Sequence, residues 1–112
     1  MTTQNLGNGI IFNGKSYSIE MGFYPNKRLA LVLENRSDPA DRVIITRNLP
    51  EVTMQRDEIA VQNWGNNFGI VRCLSGHNLI HVPEIDKVLD GENLVPIYRI
   101  TPRLLTYLGI FT

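Results

Sequence analysis

The clearest pattern in the sequence is an alternation of apolar and polar side chains around a two-residue turn. Three apolar residues precede Asn13-Gly14, and Tyr17, Ile19 and Met21 alternate with polar residues after it. Asn and Gly tolerate the positive φ angles of a tight hairpin turn, and alternation with a period of two is typical of a strand with one buried face. This segment therefore predicts a β-hairpin.

Five later segments predict further strands. The first of them is nearly all apolar on both faces, which is typical of a central strand. In the last, Pro96 cannot donate a hydrogen bond to a neighbouring strand, which favours an edge position. The pattern assigns no element to residues 86–90. The five segments are residues 28–34, 42–48, 58–63, 78–82 and 95–100.

Two segments predict short helices. The first begins after Asn67, a residue type suited to capping a helix N-terminus, and ends near Gly76. The second begins after Thr101 as the N-cap, has Pro102 at the first helical position and ends near Gly109. Strands and helices together predict an α+β fold, mostly antiparallel β-sheet with one or two short helices packed on it.

Length and composition fit one domain. The chain has 112 residues, of which 43% are hydrophobic and 20% charged. We expect a flexible N-terminal lead over residues 1–8 and a single globular domain over residues 9–112. The sequence shows no signal-peptide pattern, and no stretch reaches the roughly 18 apolar residues of a membrane span. Cys73 is the only cysteine, so no internal disulfide can form, and a cytoplasmic location is expected.

The balance of acidic and basic side chains argues against two kinds of function. Eleven basic and eleven acidic side chains give a formal net charge of zero. Binding to nucleic-acid phosphates needs a basic surface and mimicry of DNA needs an acidic one, so neither function is favoured. Residues 84–92 hold four acids and one base, Lys87. This cluster predicts a solvated loop or helix end, and contact with a basic partner is the alternative.

Three potential metal ligands, Cys73, His77 and His81, are spaced by four residues. That interval places zinc ligands on one face of a helix. Gly76 and Asn78 interrupt such a helix, however, and on a strand the two histidines would lie roughly 13 Å apart, too far for one metal. We therefore expect no metal site and no cofactor.

Residues 9–16 match the phosphate-loop pattern, a glycine and four further residues followed by Gly14, Lys15 and Ser16. A phosphate loop must leave a strand and open a helix, whereas both sides of this turn have strand patterns, so the hairpin is favoured. No serine or cysteine lies in a nucleophile motif. We expect no catalytic residue, and the protein is predicted not to be an enzyme.

Several aromatic and amide side chains lie beside glycine and asparagine and are candidates for contact with a partner protein. Aromatic residues in such loops can anchor an interface or stack on a base. Core packing is favoured over contact for the aromatic side chains, because a small domain needs its few large side chains. The candidates are Phe23, Tyr24, Trp64, Asn66, Asn67 and Phe68.

Three segments carry a resemblance to a known family. They read YPNKRLAL (24–31), TRNLP (46–50) and NWGNNFGIV (63–71). They resemble a family of small uncharacterised domains carried on phages and conjugative elements of gut bacteria. The resemblance implies no established activity and no catalytic residues. It does imply a context, because small proteins of mobile elements often block host machinery.

The sequence therefore predicts a non-catalytic binding module that inhibits a host protein. The expected partner is a protein, with no membrane association, and the oligomeric state is left open. The alternative function is binding or sequestering of a small, nucleotide-like ligand.

Overall fold

The predicted hairpin is present. Asn13 and Gly14 have φ angles of 51° and 74°, and they join β1 (Gln4–Phe12) to β2 (Lys15–Phe23). Lys15 pairs with Phe12 in the antiparallel ladder. Because a strand and not a helix follows the turn, residues 9–16 lack the architecture that a phosphate loop requires.

The computed structural model describes residues 4–111, with side chains from residue 5 to residue 106. Antiparallel strands make up most of the regular structure, and two short helices complete it, which confirms the α+β prediction. A 3-10 turn covers Gly65–Asn67. The remaining elements are β3 (Leu29–Glu34), β4 (Arg42–Ile44), β5 (Glu58–Ala60), α1 (Ile70–Gly76), β6 (Ile80–Asp90), β7 (Asn93–Ile100) and α2 (Pro102–Phe111).

The strands form two sheets, in the orders β1-β2-β3-β4 and β5-β7-β6. An antiparallel bridge between Thr46 and Val61 joins them just beyond β4 and β5. The Ile45 amide donates to the Leu31 carbonyl, and the Ile45 carbonyl accepts from the Gln62 amide. Backbone hydrogen bonds therefore continue from one sheet into the other. The two sheets therefore meet edge to edge, and β1 and β6 are the outer strands.

Helix α1 lies against both outer strands, β1 and β6. Cys73 of α1 and His77, the residue that follows the helix, also bond the free edge of β1. The Cys73 Sγ donates to the Ile11 carbonyl and the Ile11 amide donates to His77 Nε2, each over 3.3 Å. An unpaired strand edge is a site for unwanted association. The helix therefore satisfies backbone groups on the β1 edge.

Both sheets and both helices contribute to the main hydrophobic core. β3 is buried on both faces, as its apolar sequence predicts. A second, smaller cluster lies under the loop after β4. The main core includes Ile19, Leu31, Ile59, Leu74, Ile100 and Leu104, and the smaller cluster contains Leu49, Ala60, Val95 and Ile97.

Residues 4–8 are not a flexible lead, because they belong to β1. The strand begins at Gln4, which pairs with Met21, and Leu6 is buried in the main core. Pairing with β2 thus extends the hairpin further than the local sequence indicates. The first three residues of the predicted lead lie outside the described part of the chain.

Pro96 does not lie in an edge strand, because β7 is the central strand of its sheet. β5 is short, and its ladder with β7 ends where Ala60 pairs with Ile97. Beyond that point the Pro96 carbonyl accepts from the Val61 amide, a bond that needs no donor from proline. Proline is tolerated here because the neighbouring strand has already ended.

Within the acidic cluster of residues 84–92, residues 84–90 are neither a loop nor a helix end, whereas Glu92 lies in the turn that follows. Residues 84–90 are part of β6, in which Asp86 to Asp90 pair with Ile97 to Asn93, and the two strands meet at a turn where Gly91 has a φ of 61°. Pairing with β7 imposes this structure, which the local pattern does not indicate. Asp90 forms an ion pair with Arg47.

Both helix N-termini differ in detail from the prediction. The N-cap of α1 is Gly69, not Asn67. Thr101 does precede α2 and its carbonyl accepts from Leu104, but its hydroxyl donates to the Asn78 carbonyl over 2.7 Å instead of capping the helix. Tertiary hydrogen bonds therefore engage side chains that local sequence rules assign to helix caps.

Only one of the two predicted helix C-termini agrees with the structure. α1 stops at Gly76, as predicted, and Asn78 follows with a φ of 57°. α2 continues past Gly109 to Phe111. Glycine lowers helix stability by only about 1 kcal/mol relative to alanine, so it does not by itself end a helix.

Candidate functional site

The predicted contact residues Trp64, Asn66, Asn67 and Phe68 lie together on the 3-10 turn and its flanks. The Asn67 side-chain amide donates to the Ile44 carbonyl over 2.8 Å and to the Gln62 carbonyl over 3.1 Å. These two bonds fix the turn to the end of β4 and to the segment after β5.

Phe68 is the most exposed large hydrophobic side chain in the described part of the chain, with 80% of its surface accessible. Ile44, whose carbonyl accepts from Asn67, is 48% exposed. Asn66 is also exposed. We call Ile44, Asn66 and Phe68 the Phe68 surface. It combines an aromatic side chain with a backbone that Asn67 holds in place.

Trp64 has a different environment from Phe68. It is half-buried and packs against the smaller hydrophobic cluster. The Arg47 guanidinium carbon lies 5.8 Å from the centre of the Trp64 ring, within cation–π range. Arg47 is held there by Asp90 and by a hydrogen bond to Gln62. Trp64 therefore supports the turn from inside, beside the Phe68 surface.

Phe23 and Tyr24, the other two predicted contact residues, lie at the end of β2. Phe23 is half-buried against the main core. The Tyr24 hydroxyl lies 3.3 Å from the Thr46 carbonyl, to which it donates, and 3.1 Å from the Thr46 hydroxyl. The Tyr24 hydroxyl thus forms an internal contact with Thr46. Phe23 lines a separate cleft.

That cleft, which we call the basic cleft, has a volume of about 290 Å³. The β2–β3 turn forms one wall and the segment before β5 forms the other. Lys27 and Arg56 both line this cleft but are separated by almost thirty residues in the sequence, so no local motif assigns them to one site. The lining residues are Phe23, Asn26, Lys27, Arg28, Leu29, Met54, Gln55, Arg56 and Glu58.

Cys73 and His77 come together at Ile11, whereas His81 lies in β6 opposite Arg99. Within the described residues, no group of three or more His, Cys, Asp or Glu side chains is arranged to hold a metal ion. Burial raises the pKa of the Cys73 thiol, which favours its protonated form. That form is the hydrogen-bond donor to Ile11 and is a poor nucleophile.

Comparison with protein-family models, curated proteins and solved structures found no match to this chain. Over residues 4–111, none of the helices has the length and apolar character needed to cross a membrane. The function must therefore be inferred from the contacts, exposure and charge of the protein's own residues.

Replacing Asn67 with alanine should lower the free energy of unfolding by about 1 kcal/mol, because two carbonyl acceptors lose their donor. Urea unfolding measures this change. The matched control is Asn66→Ala on the same turn, whose side chain is exposed and which should change stability by less than about 0.5 kcal/mol. Equal effects from the two variants would contradict the proposed fixing of the turn.

Proposed function

We propose that this protein is a non-catalytic binding module whose Phe68 surface contacts a partner protein. The observation that carries the proposal is an aromatic side chain, 80% exposed, on a turn that Asn67 fixes to two other segments. A single exposed hydrophobic residue is ordinary on a protein surface. Here the Phe68 side chain is large and the two hydrogen bonds of Asn67 hold the backbone of its turn. The exposed residue Ile44 supplies one of the two carbonyls that Asn67 binds.

The energetics of association favour such an arrangement. Interfaces derive most of their affinity from a few large side chains that enter pockets on the partner. Ordering a loop on binding reduces affinity, and the two hydrogen bonds of Asn67 order this loop before any partner arrives. The partner surface that fits best is an apolar pocket wide enough for a phenyl ring.

The proposed partner is a host protein that this module blocks. The support is the resemblance of residues 24–31, 46–50 and 63–71 to small domains of phages and conjugative elements, and the last of these segments contains the Phe68 turn. The cytoplasm is the proposed location, because Cys73 is the only cysteine and no internal disulfide can form.

Affinity capture from lysates of candidate host bacteria, followed by calorimetry with the recovered protein, tests this proposal. Phe68→Ala should weaken binding at least about tenfold, since the loss of a hot-spot side chain typically costs about 2 kcal/mol or more. The matched control is Leu89→Ala, which removes a side chain that is 70% exposed on the β6–β7 hairpin. This variant should bind like the unmodified protein.

The urea midpoint of Phe68→Ala should stay unchanged, which separates a binding defect from a folding defect. Recovery of the same partner with equal affinity by Phe68→Ala would overturn the assignment of this surface. Failure to recover any protein from all candidate lysates would overturn the proposed function as a whole.

A further inference from the structure

The basic cleft holds more positive charge than its own acids neutralise. Of the eleven lysine and arginine residues, all within the described residues, five form ion pairs with acids. Three of the other six, Lys27, Arg28 and Arg56, line this cleft. The cleft is therefore lined by cations that form no ion pair with a carboxylate of the described residues.

Glu58 is the one acid among the described residues that line the cleft, and it is already engaged. Glu58 Oε1 accepts from the Gln55 amide over 2.7 Å, and Glu58 Oε2 lies 3.6 Å from Arg99 Nη2. Its carboxylate is therefore held by neighbouring donors. An incoming anion would therefore meet cations of the cleft that the Glu58 carboxylate does not pair with.

The cleft is also built on rigid supports. The Arg28 guanidinium donates to the carbonyls of Leu49 and Val52 and to the Met54 sulfur, which ties the loop before β5 to the start of β3. Lys27 closes the β2–β3 turn, in which its amide donates to the Tyr24 carbonyl over 2.8 Å. Both walls are thus fixed before any ligand enters.

The backbone of Lys27 adds a second observation. Its φ is 68°, in the left-handed region that glycine and asparagine adopt more readily than lysine. A lysine at this position carries a conformational cost, and residues in such conformations concentrate at ligand sites. The turn contributes this exposed lysine to a cleft that exposed Arg56 also lines.

We propose that the basic cleft binds a nucleoside phosphate, with the phosphate between Lys27 and Arg56 and the nucleoside toward Phe23 and Met54. Lysine and arginine are the side chains that bind phosphate best, as a point charge and a forked donor respectively. The volume of about 290 Å³ lies near the lower end of small-ligand sites. This cleft shares no residue with the Phe68 surface, so the two proposals can fail separately.

Calorimetry on the full chain tests the proposal with AMP, inorganic phosphate and adenosine as probes. AMP should bind at least about tenfold more tightly than either phosphate or adenosine, because only AMP contacts both parts of the cleft. Lys27→Asn and Arg56→Gln should each weaken AMP binding about tenfold, the effect expected for losing one charge-assisted hydrogen bond. Asparagine is chosen at position 27 because it tolerates the positive φ.

The matched controls are Arg36→Gln and Arg72→Gln, which remove exposed cations that form no ion pair within the described residues and do not line the cleft. These variants should bind AMP as the unmodified protein does. No heat of binding with millimolar AMP would overturn the proposal, as would equal losses in the cleft and control variants. Adenosine binding as tightly as AMP would overturn the phosphate assignment, and phosphate binding as tightly as AMP would overturn the nucleoside assignment.

Discussion

Replacing Leu74 with alanine should lower the free energy of unfolding by about 3 kcal/mol, the central expectation for removing a fully buried leucine side chain. Leu74 is completely buried and packs in the main core from α1. This helix lies against the two outer strands, so a cavity beneath it loosens the element that covers the β1 edge. Urea unfolding followed by far-ultraviolet circular dichroism measures the loss.

Arg72→Ala is the matched control for Leu74→Ala, because Arg72 is exposed on the same helix and forms no ion pair within the described residues. It should change stability by less than about 0.5 kcal/mol. A loss below about 1 kcal/mol for Leu74→Ala would show that α1 is not an integral part of the core.

The same experiment tests the prediction of a single domain. Trp64 is the only tryptophan, and it packs against the smaller cluster, whereas Leu74 lies in the main core. Fluorescence of Trp64 and circular dichroism should therefore report one coincident transition, which Leu74→Ala shifts to lower urea for both signals. Separate midpoints would indicate two units that unfold independently.

The sequence predicts the local parts of this fold well, and the reason is physical. The Asn13-Gly14 turn depends on backbone preferences of adjacent residues, and the burial of β3 follows from an apolar run. The central position of β7 depends instead on its long-range pairing with both β5 and β6. The strand at residues 86–90 likewise exists because β7 pairs with it.

The candidate sites divide in the same way. Glycine and asparagine around Phe68 identify an exposed turn from local composition, but only packing shows that Trp64 faces Arg47 while Phe68 faces solvent. The basic cleft is lined by Lys27 and Arg56, which come from segments distant in the sequence. A search for local motifs finds neither the cleft nor the bond network of Arg28 that supports it.

Arg28→Ala should lower the free energy of unfolding by about 2 kcal/mol, because hydrogen bonds from a charged donor contribute more than neutral ones and this side chain is half-buried. The substitution leaves the carbonyls of Leu49 and Val52 and the Met54 sulfur without their guanidinium donor. The loop before β5 should then detach from β3. Urea unfolding gives the total loss, and hydrogen exchange of the Val52 amide, which donates to the Leu49 carbonyl, reports whether the loop loses protection.

Arg28→Lys separates the charge of this side chain from its geometry. Lysine keeps the positive charge but has one donor nitrogen in place of the planar fork, so it cannot reach both carbonyls in the same arrangement. It should recover less than half of the loss caused by Arg28→Ala, and Arg36→Ala, an exposed cation elsewhere, should leave stability unchanged. Full recovery by lysine would mean that charge alone, and not the forked contact with two carbonyls, holds the loop against the sheet.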